Sequence, residues 1–502
     1  MTTKILNSKS YILIAIIIIA SFFRLYNITD LPPGLYPDEA MNGNNALEAN
    51  WKIFYPENNG REGLFMNIQT VFLKVLMPLS GGNPEPWMLR FPSAIFGILT
   101  VLGVYFLSKE LFNKNVALVS SFFLATSFWH INFSRIGFRA IMAPFFLVWA
   151  TYFLVVALRT AGNKFQASSF KFQAAVGGLF FGLGFYSYIA YRIMPLLIAI
   201  IFFYYFYQHR EYAKKLWAAI SIYVIAAFII ALPIGIYFLK NPTDFFGRTV
   251  QVSIGVSQSP IGDLAMNTVK TLGMFNFVGD GNWRHNIAGA PEMFWPVGIL
   301  FIIGIVLGIV SIFKKNEDKF QVLFYWFILA MLPVIISNEG IPHALRAILM
   351  LPPAVIFAGA GGVWLIEKIK NQKSKIKITI QNSKVLDFTA YTLLFIILAL
   401  FIVQAYYAYF IQWGKNPNVQ GSFAADYVQI GKQLNALPKE MPKYVLVEAG
   451  GVDVRGIPMP TQTVMFITDT FTPEKQKEKN IFYVLPDKFN QTPLDAYTVI
   501  LK

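Results

Sequence analysis

The sequence predicts an all-α polytopic membrane protein that ends in a small extracytoplasmic α/β domain. Of its 502 residues, 55% are hydrophobic and only 14% are charged, whereas soluble domains carry about 25% charged residues. Apolar segments of about 20 residues, the length that crosses a bilayer, recur along most of the chain. After about residue 411 the composition changes to the polarity of an ordinary soluble domain. We therefore expect a transmembrane domain over residues 1–411 and a soluble domain over residues 412–502.

The apolar segments predict about eleven membrane-spanning helices. The first follows Lys4 and Lys9, and Arg24 and Leu25 come directly after its apolar run. Because no small residues mark a cleavage site there, we interpret it as an uncleaved span and not as a signal peptide. The predicted spans are 10–29, 89–108, 115–133, 141–159, 173–191, 193–208, 216–239, 294–313, 320–337, 345–366 and 389–411.

The charges of the loops predict the orientation of these spans. The run 64–79 is also apolar, but if it lies along the membrane surface, every lysine-rich loop falls on the cytoplasmic side, as the positive-inside rule requires. Counting it as a span places most of those lysines outside. We therefore expect a plasma-membrane protein with a cytoplasmic N-terminus and juxtamembrane helices in the first outer loop. The outer segments are then 30–88, 134–140, 240–293, 338–344 and 412–502.

The pattern after residue 412 predicts both strands and a helix. Residues 443–449 and 480–485 read as strands, and residues 424–437 have the periodicity of an amphipathic helix. Inside the membrane domain, the glycine runs 177–182 and 359–362 indicate close helix packing and not nucleotide binding.

The sequence argues against several classes of function. The net charge is +15, but the basic residues stand in short tracts between apolar runs, where they orient helices and do not favour nucleic-acid binding. The absence of cysteine excludes disulfides and thiolate catalysis. No Walker loop, no His-x-x-x-His pair and no Ser/His/Asp arrangement is visible. His285 and His343 are too isolated in the sequence to predict zinc.

The first outer loop carries an adjacent acidic pair, Asp38 and Glu39, just beyond a predicted span. Residues 24–63 hold six acids against three bases, in a protein that is otherwise basic. Such a carboxylate can act as the general base for an acceptor hydroxyl, a role that contributes about 10²–10⁴ in rate. The alternative is that Asp38 caps a helix that begins near Glu39. Spacing alone favours the cap, and the two roles are compatible.

Cations gather on the predicted outer side, against the positive-inside trend. Arg61 precedes the surface helix, where it would either anchor a lipid phosphate or extend to the membrane interface. Outer loops have little orientational reason to hold arginines, so the set suits an anionic ligand such as phosphate or pyrophosphate. For any single arginine, a structural ion pair is the alternative. The other members are Arg135, Arg139, Arg192, Arg248, Arg284, His285, His343 and Arg346.

Several short motifs carry a resemblance to a known family. They are Asp38-Glu39, Arg61-Glu62-Gly63-Leu64, Trp87-Met-Leu-Arg90-Phe-Pro-Ser93 followed by Gly97, Ser134-Arg135, and Pro342-His343-Ala-Leu-Arg346. By these motifs and by topology, over about residues 10–410, the sequence resembles the GT-C superfamily of membrane glycosyltransferases. The likeness is to the branch that includes protein O-mannosyltransferases and lipid A aminoarabinose transferases.

The resemblance implies an inverting transfer of a sugar from a polyprenyl-phosphate donor to a hydroxyl of a protein, lipid or glycan. It implies that Asp38 is the catalytic base or positions the acceptor, with Glu39 as the second catalytic candidate, and that Arg61 and Arg346 hold the donor phosphate. Residues 134–140 lack the acid that some relatives have there. We therefore expect no metal site and no obligatory cofactor. The remaining substrate-site candidates are Glu62, Arg135, Arg139, His285 and His343.

Two other functions stay open at this point. A transporter or lipid flippase would also have many spans, but transporters usually bind their cargo at the bilayer midplane between internal repeats. Here the polar residues concentrate in outer loops and no repeat is visible. A scaffold that works through residues 412–502 would tolerate any change at Asp38.

Overall fold

The computed structural model describes residues 8–57, 60–162, 169–251, 255, 259–314, 319–337, 340–376, 383–491, 493 and 496–502, and most of them are helical. A π-helical segment, Tyr407–Trp413, continues the last helix before the C-terminal region. The α-helices that precede the C-terminal region are α1 (Ser8–Leu25), α2 (Pro37–Glu48), α3 (Leu64–Leu76), α4 (Pro86–Leu111), α5 (Lys114–Thr126), α6 (Phe128–Phe133), α7 (Met142–Ala161), α8 (Phe170–Gly184), α9 (Pro195–Gln208), α10 (Ala213–Lys240), α11 (Pro242–Gln251), α12 (Pro260–Gly273), α13 (Trp295–Phe313), α14 (Lys319–Ile335), α15 (Leu351–Ile376) and α16 (Ser383–Tyr406).

The helices confirm an all-α polytopic membrane protein. Within the described ranges, seven helical segments are long and apolar enough to cross a membrane: Pro86–Leu111, Arg139–Ala161, Ile189–Gln208, Arg210–Lys240, Trp295–Phe313, Ile348–Ile369 and Phe395–Trp413. Shorter apolar helices are Ser10–Leu25, Leu64–Ser80 and Lys319–Ile335. The count of about eleven spans stays a prediction.

Two of the predicted spans are shorter than expected. The segment 115–133 is broken at Ser127, which has extended backbone angles and accepts a hydrogen bond from the His130 N–H at 3.4 Å. The helix thus ends at Thr126 and a new one begins, with the serine as its N-cap. The segment 173–191 likewise ends as an α-helix at Gly184 and continues as turns.

Glycines allow close helix packing, as the sequence predicts. A Cβ on Gly178 of α8 would lie 2.2 Å from the Tyr223 carbonyl of α10, and one on Gly361 of α15 would lie 2.1 Å from the Leu300 carbonyl of α13. Real Cβ atoms do not approach so closely, so these two helix pairs depend on the absence of side chains. This is the small-residue packing that membrane helices use.

The first loop folds into a compact unit around α2 and α3. Between the two helices, β1 (Phe54–Tyr55) pairs antiparallel with β2 (Arg61–Glu62). The apolar run 64–79 forms a 13-residue α-helix and a short 3-10 turn, and the helical part is too short for a typical membrane span. Tyr36, not Asp38, is the N-cap residue of α2. The interpretation of Asp38 as a helix cap is therefore wrong.

The C-terminal region contains a small parallel sheet. It has helices α17 (Pro417–Ser422), α18 (Ala425–Ala436), α19 (Gln462–Thr468) and α20 (Pro473–Lys479), and strands β3 (Lys443–Val447), β4 (Asp453–Val454), β5 (Ile457–Pro458), β6 (Ile481–Val484) and β7 (Tyr497–Leu501). The main sheet has the order β6-β3-β7 with parallel neighbours. The predicted helix and both predicted strands are confirmed, whereas β7 was not predicted.

The C-terminal region packs directly on α2. Phe466 and Ile467 of α19 lie in one buried apolar cluster with Leu35, Ala46 and Leu89. The Asn44 amide donates to both oxygens of Gln462, at 3.1 and 2.9 Å, and the Thr463 hydroxyl donates to the Leu35 carbonyl at 2.8 Å. The division of the chain at residue 412 stays a prediction, since the two parts share this core.

Candidate active site

The predicted outer loops meet around one cavity of about 700 Å³. Its walls come from the first loop, from the turn after α6, from residues 188–189, from the loop before α13 and from the loop after α14. Segments far apart in sequence thus reach the same end of the helix bundle. Among the lining residues are Asp38, Arg61, Arg139, Asp280, Arg284, His285, His343 and Arg346.

Asp38 is the acid of the first loop that opens to this cavity. Its side chain is 32% exposed and pairs with Arg61, which is 6% exposed. Arg61 is therefore held inside the protein beside a carboxylate and does not extend to the membrane interface. The Tyr36 hydroxyl donates to the other carboxylate oxygen of Asp38. Burial, followed by the charge of Asp38, raises the pKa of Tyr36, so this hydroxyl keeps its proton and remains a donor.

Glu39 is fully buried and lies outside the cavity lining. It accepts hydrogen bonds from the Arg90 guanidinium at 2.8 and 3.1 Å and from the Gly137 N–H at 2.7 Å. Arg90 also donates to the carbonyls of Pro32 and Gly34, at 2.6 and 2.7 Å. This ion pair thus joins α2, α4 and the turn after α6 behind Asp38.

Glu62 is the centre of a second buried ion cluster. It accepts from Arg139 at 2.7 Å and from Arg192 at 3.3 Å, and its side chain is 3% exposed. Arg192 lies over the rings of Phe238 and Phe245 and donates to the Phe245 carbonyl at 2.7 Å. Glu62 therefore fixes Arg139 at the wall of the cavity.

Arg284 and Arg346 bring further positive charge to the cavity. The Arg284 guanidinium lies 4.0 Å from the centre of the Tyr36 ring, a cation–π contact. Arg346 donates to the Ser337 hydroxyl and is largely buried. Together with Arg61 and Arg139, they make this a cation-rich pocket with one open carboxylate in the first loop.

A cluster that the sequence did not predict lies on the same wall. Asp280 accepts from His285 Nδ1 at 2.8 Å and from the Ala344 N–H at 2.9 Å, and His343 Nδ1 is 3.8 Å from it. The two imidazole rings lie 4.9 Å apart, so the expectation that these histidines are isolated is wrong. Burial, then the charges of His285 and Arg346, lowers the pKa of His343 to about 3. Burial would raise the pKa of Asp280, but the hydrogen bond from His285 and the neighbouring imidazoles of His285 and His343 lower it overall.

Two predicted ligands are not part of the cavity as described. Arg135 is completely buried and donates to the carbonyls of Phe23, Asn27 and Leu31, at 3.1, 3.0 and 2.8 Å. It joins the end of α1 to the second loop. The side chain of Arg248 lies outside the described part of the structure.

Sequence reasoning missed Tyr36 and Asp280. Tyr36 stands two residues before Asp38, and Asp280 begins a polar run within a mostly apolar chain. These sequence positions were the only signals that could have drawn attention to the two residues. They do not reveal that Tyr36 contacts Arg284, or that Asp280 lies beside His343.

Comparisons with known proteins identify the fold. Residues 68–237 match the family model described as dolichyl-phosphate-mannose-protein mannosyltransferase. No curated protein sequence matches the chain. The structure is similar to that of an oligosaccharyltransferase from Archaeoglobus fulgidus tethered with an acceptor peptide, with a TM-score of 0.55 and 14% identity, over 97% of this chain and 65% of the other.

Two further solved structures show the same likeness. AglB from Archaeoglobus fulgidus, in complex with an inhibitory peptide and a dolichol-phosphate, has a TM-score of 0.54 and 15% identity, over 91% of this chain and 63% of AglB. ArnT from Cupriavidus metallidurans, bound to undecaprenyl phosphate, has a TM-score of 0.51 and 13% identity, over 97% of this chain and 91% of ArnT. The chain thus spans less than two thirds of the length of the two Archaeoglobus fulgidus proteins, the oligosaccharyltransferase and AglB.

The fold and the cavity together define a class, that of integral membrane proteins with a polar site at one end of the helix bundle. More particularly, the chain has the GT-C fold of membrane glycosyltransferases, which confirms the resemblance found in the sequence.

Proposed function

We propose that the protein is a membrane glycosyltransferase that moves a sugar from a polyprenyl-phosphate donor to an acceptor hydroxyl, with inversion, on the extracytoplasmic side of the plasma membrane. The observation that carries the proposal is the cavity itself, in which Asp38 opens to a space bordered by Arg61, Arg139, Arg284 and Arg346. The carboxylate can accept the proton of the acceptor hydroxyl, and the fixed cations can stabilise the negative charge that develops on the leaving phosphate.

The cations suit the leaving group. When the bond between the sugar C1 and the phosphate oxygen breaks, the oxygen keeps the electron pair and the polyprenyl phosphate gains negative charge. Arg284 and Arg346 are held in place by an aromatic ring and by a serine hydroxyl. Preorganised cations stabilise developing charge more than they stabilise the ground state. We assign the donor phosphate to these two arginines, with Arg61 and Arg139 at its border.

Asp38 suits the acceptor. The acceptor oxygen attacks C1 from the face opposite the phosphate, and its proton passes to the Asp38 carboxylate. The bond from C1 to the acceptor oxygen forms as the bond from C1 to the phosphate oxygen breaks, so the configuration at C1 is inverted. Tyr36 and Arg61 hold the carboxylate from two sides. A base fixed in this way does not have to be ordered during the reaction. The acceptor in this proposal is a hydroxyl of a protein, lipid or glycan.

Glu39 and Glu62 act as positioning residues in this proposal. Their carboxylates are 0% and 3% exposed and are occupied by arginines and a backbone N–H. Glu39 supports the start of α2 beneath Asp38, and Glu62 sets the position of Arg139. We place Arg135 outside the substrate site, because its guanidinium is committed to three backbone carbonyls.

The test is sugar transfer in membranes that contain the wild type, Asp38→Asn or a matched control. The control is Asp30→Asn, an exposed aspartate of the same loop whose carboxylate accepts from Thr29. Loss of a general base lowers the rate by about 10²–10⁴, so we expect radiolabelled sugar from polyprenyl-phosphate donors to reach cell-envelope acceptors with the wild type and Asp30→Asn only.

Equal expression and insertion of the three proteins is the control for folding. If Asp38→Asn transfers label as fast as the wild type, the assignment of the base is refuted. If the wild type transfers label from none of a panel of donor sugars but moves labelled lipid across the bilayer, the protein is a flippase.

A further inference from the structure

A second cavity, of about 190 Å³, borders the same loop that forms one wall of the candidate active site. Arg284 and His285 of this loop line the candidate active site, whereas Asn286 and Ile287, which follow directly, line the second cavity. The two cavities have no described lining residue in common. The loop before α13 therefore separates two distinct spaces.

The second cavity lies among helices that are long and apolar enough to cross a membrane. Its walls include residues of the segments Trp295–Phe313, Ile348–Ile369 and Phe395–Trp413. Trp295 at its border is 68% exposed, and Val403, beside the lining residue Gln404, is 62% exposed. Exposed tryptophans of membrane helices lie at the level of the lipid headgroups. The cavity therefore adjoins the bilayer near the boundary between headgroups and acyl chains.

Glu292 gives this cavity a polar group that lacks a partner. Its side chain is 3% exposed, and its Oε1 accepts the Asp280 N–H at 2.9 Å. Its Oε2 is buried and has no hydrogen-bond partner among the described residues. Burial raises the pKa of Glu292 well above its ordinary value, so the carboxyl is neutral and Oε2 carries the proton. A buried donor without an acceptor is costly, and this atom therefore indicates a ligand with an oxygen acceptor.

The other lining residues suit an uncharged part of a lipid. Gln404, and Gln412 of the π-helical segment, bring further amide groups to the cavity, and π-helical turns frequently occur at functional sites. Much of the remaining wall is apolar or aromatic. No lysine, arginine or histidine lines this cavity in the described part of the chain. The cavity thus offers neutral hydrogen-bond donors in apolar surroundings and no cation for a phosphate.

We propose that this cavity binds the glycerol ester region of a diacyl phospholipid from the adjoining leaflet, with Glu292, Gln404 and Gln412 directed at the ester carbonyl oxygens. Ester carbonyls are uncharged acceptors that lie just beneath the headgroups. The volume of about 190 Å³ equals that of about six water molecules in the liquid. It holds the ester region but not a whole lipid, so the acyl chains lie along the exposed apolar faces of α13 and α16.

The bound lipid would support the loop that carries Arg284. Glu292 connects the two cavities, because one of its oxygens lies at the lipid site and the other holds the backbone of Asp280, a lining residue of the candidate active site. The Asn286 amide also donates to the Ala290 carbonyl within this loop. The proposal concerns a structural lipid and does not depend on the proposed function.

The experiment measures the thermal unfolding midpoint of the purified full-length protein in detergent micelles during titration with phosphatidylglycerol. A ligand that binds the folded state raises the midpoint in a concentration-dependent way. The same titration uses diether phosphatidylglycerol, whose ether oxygens are weaker acceptors than ester carbonyls, and diacyl phosphatidylethanolamine. We expect the two diacyl lipids to act alike and the diether lipid to bind more weakly.

Variants of Glu292 test the contact itself. Glu292→Gln keeps a donor and an acceptor and should respond as the wild type does, whereas Glu292→Leu should bind the diacyl lipid about two- to tenfold more weakly, the effect of one hydrogen bond. The matched control is Glu211→Leu, an exposed acid outside both cavities. If Glu292→Leu does not fold, Ala408→Phe fills the cavity from the π-helical segment and should likewise weaken binding.

A photoreactive diacyl lipid, with its reactive group beside the ester, locates the site. We expect the label on residues 286–297 and 401–412 of the wild type and Glu211→Leu, and less of it on Glu292→Leu. The proposal is overturned if the diether lipid binds as tightly as the diacyl lipid, if only the ethanolamine lipid binds, or if Glu292→Leu is labelled like the wild type.

A competition separates this site from the proposed donor site. Undecaprenyl phosphate at the same concentration should leave the labelling unchanged, and displacement of the lipid would assign the cavity to the donor and refute the proposal. No sugar donor is present in any of these measurements. If the diacyl lipid binds as expected but no donor supports sugar transfer, the lipid site stands and the proposed function fails.

Discussion

The buried ion pair between Glu39 and Arg90 should be among the most sensitive contacts in the first loop. The perturbation is Glu39→Gln, which keeps the size of the side chain and removes its charge. Both partners are 0% exposed. Arg90 then keeps its hydrogen bonds to the carbonyls of Pro32 and Gly34 but loses the anion that compensates its charge.

The magnitude follows from the contacts that change. Glu39 accepts two hydrogen bonds from Arg90 and one from Gly137, and a glutamine has only one oxygen to replace these acceptors. Removing one partner of a buried ion pair costs about 3–5 kcal/mol. The matched control is Glu48→Gln, which breaks a partly exposed pair with Arg455. Pairs of that kind contribute about 0–1 kcal/mol.

The assay is the free energy of unfolding of the purified protein, from denaturant titration in mixed micelles, for the wild type and both variants. Arg90→Met and the double variant complete a thermodynamic cycle. Because the two side chains are in contact, the double variant should lose less stability than the sum of the single changes. The reasoning is refuted if Glu39→Gln is no more destabilising than Glu48→Gln, or if the two single changes simply add.

Two further predictions concern tyrosine hydroxyls. Tyr36→Phe removes the hydrogen bond to Asp38, and because a bond to a charged group contributes about 1.5–3 kcal/mol to folding stability, the variant should lose thermal stability. Sugar transfer per folded protein should also slow, by up to about 100-fold, because the proposed base is less well positioned. The exposed-site control Tyr207→Phe should change neither quantity. In the C-terminal region, burial raises the pKa of Tyr483 to about 12, and because the folded state then holds the proton more tightly than the unfolded state, stability should fall as the pH rises from about 10 to about 12. Tyr483→Phe, which loses the hydrogen bond to Thr470, should make that fall smaller than in the wild type, in alkaline unfolding followed by circular dichroism. An unchanged pH profile would contradict this prediction.

The sequence was sufficient for the class of fold because its signals are local. The length of an apolar segment predicts a membrane helix, and the pattern of apolar residues predicts β3 and β6. Both signals are independent of the rest of the chain. The errors lie where a single polar group decides the result. Ser127 turns one predicted span into two helices because its hydroxyl accepts a backbone N–H. Asp38 follows a proline at the helix start, so Tyr36 occupies the cap position instead.

The candidate site was harder to predict because its chemistry depends on contacts between distant segments. Asp38 and Glu39 are neighbours in sequence with the same kind of side chain. Only their surroundings distinguish them, since one opens to the cavity and the other meets Arg90, 51 residues away. His285 and His343 are likewise unrelated until two loops bring their rings together. A single sequence contains no record of such pairings.

The contact between α19 and α2 has a consequence for the order in which the protein is made. Asn44 and Gln462 are 418 residues apart, and Thr463 reaches back 428 residues to Leu35. The ribosome therefore adds more than 400 residues to the first loop before the partner of that loop exists. The helix that carries Asp38 stays without this support until α19 has been made and has folded against it. The fold thus links maturation of the cavity to synthesis of the C-terminal region.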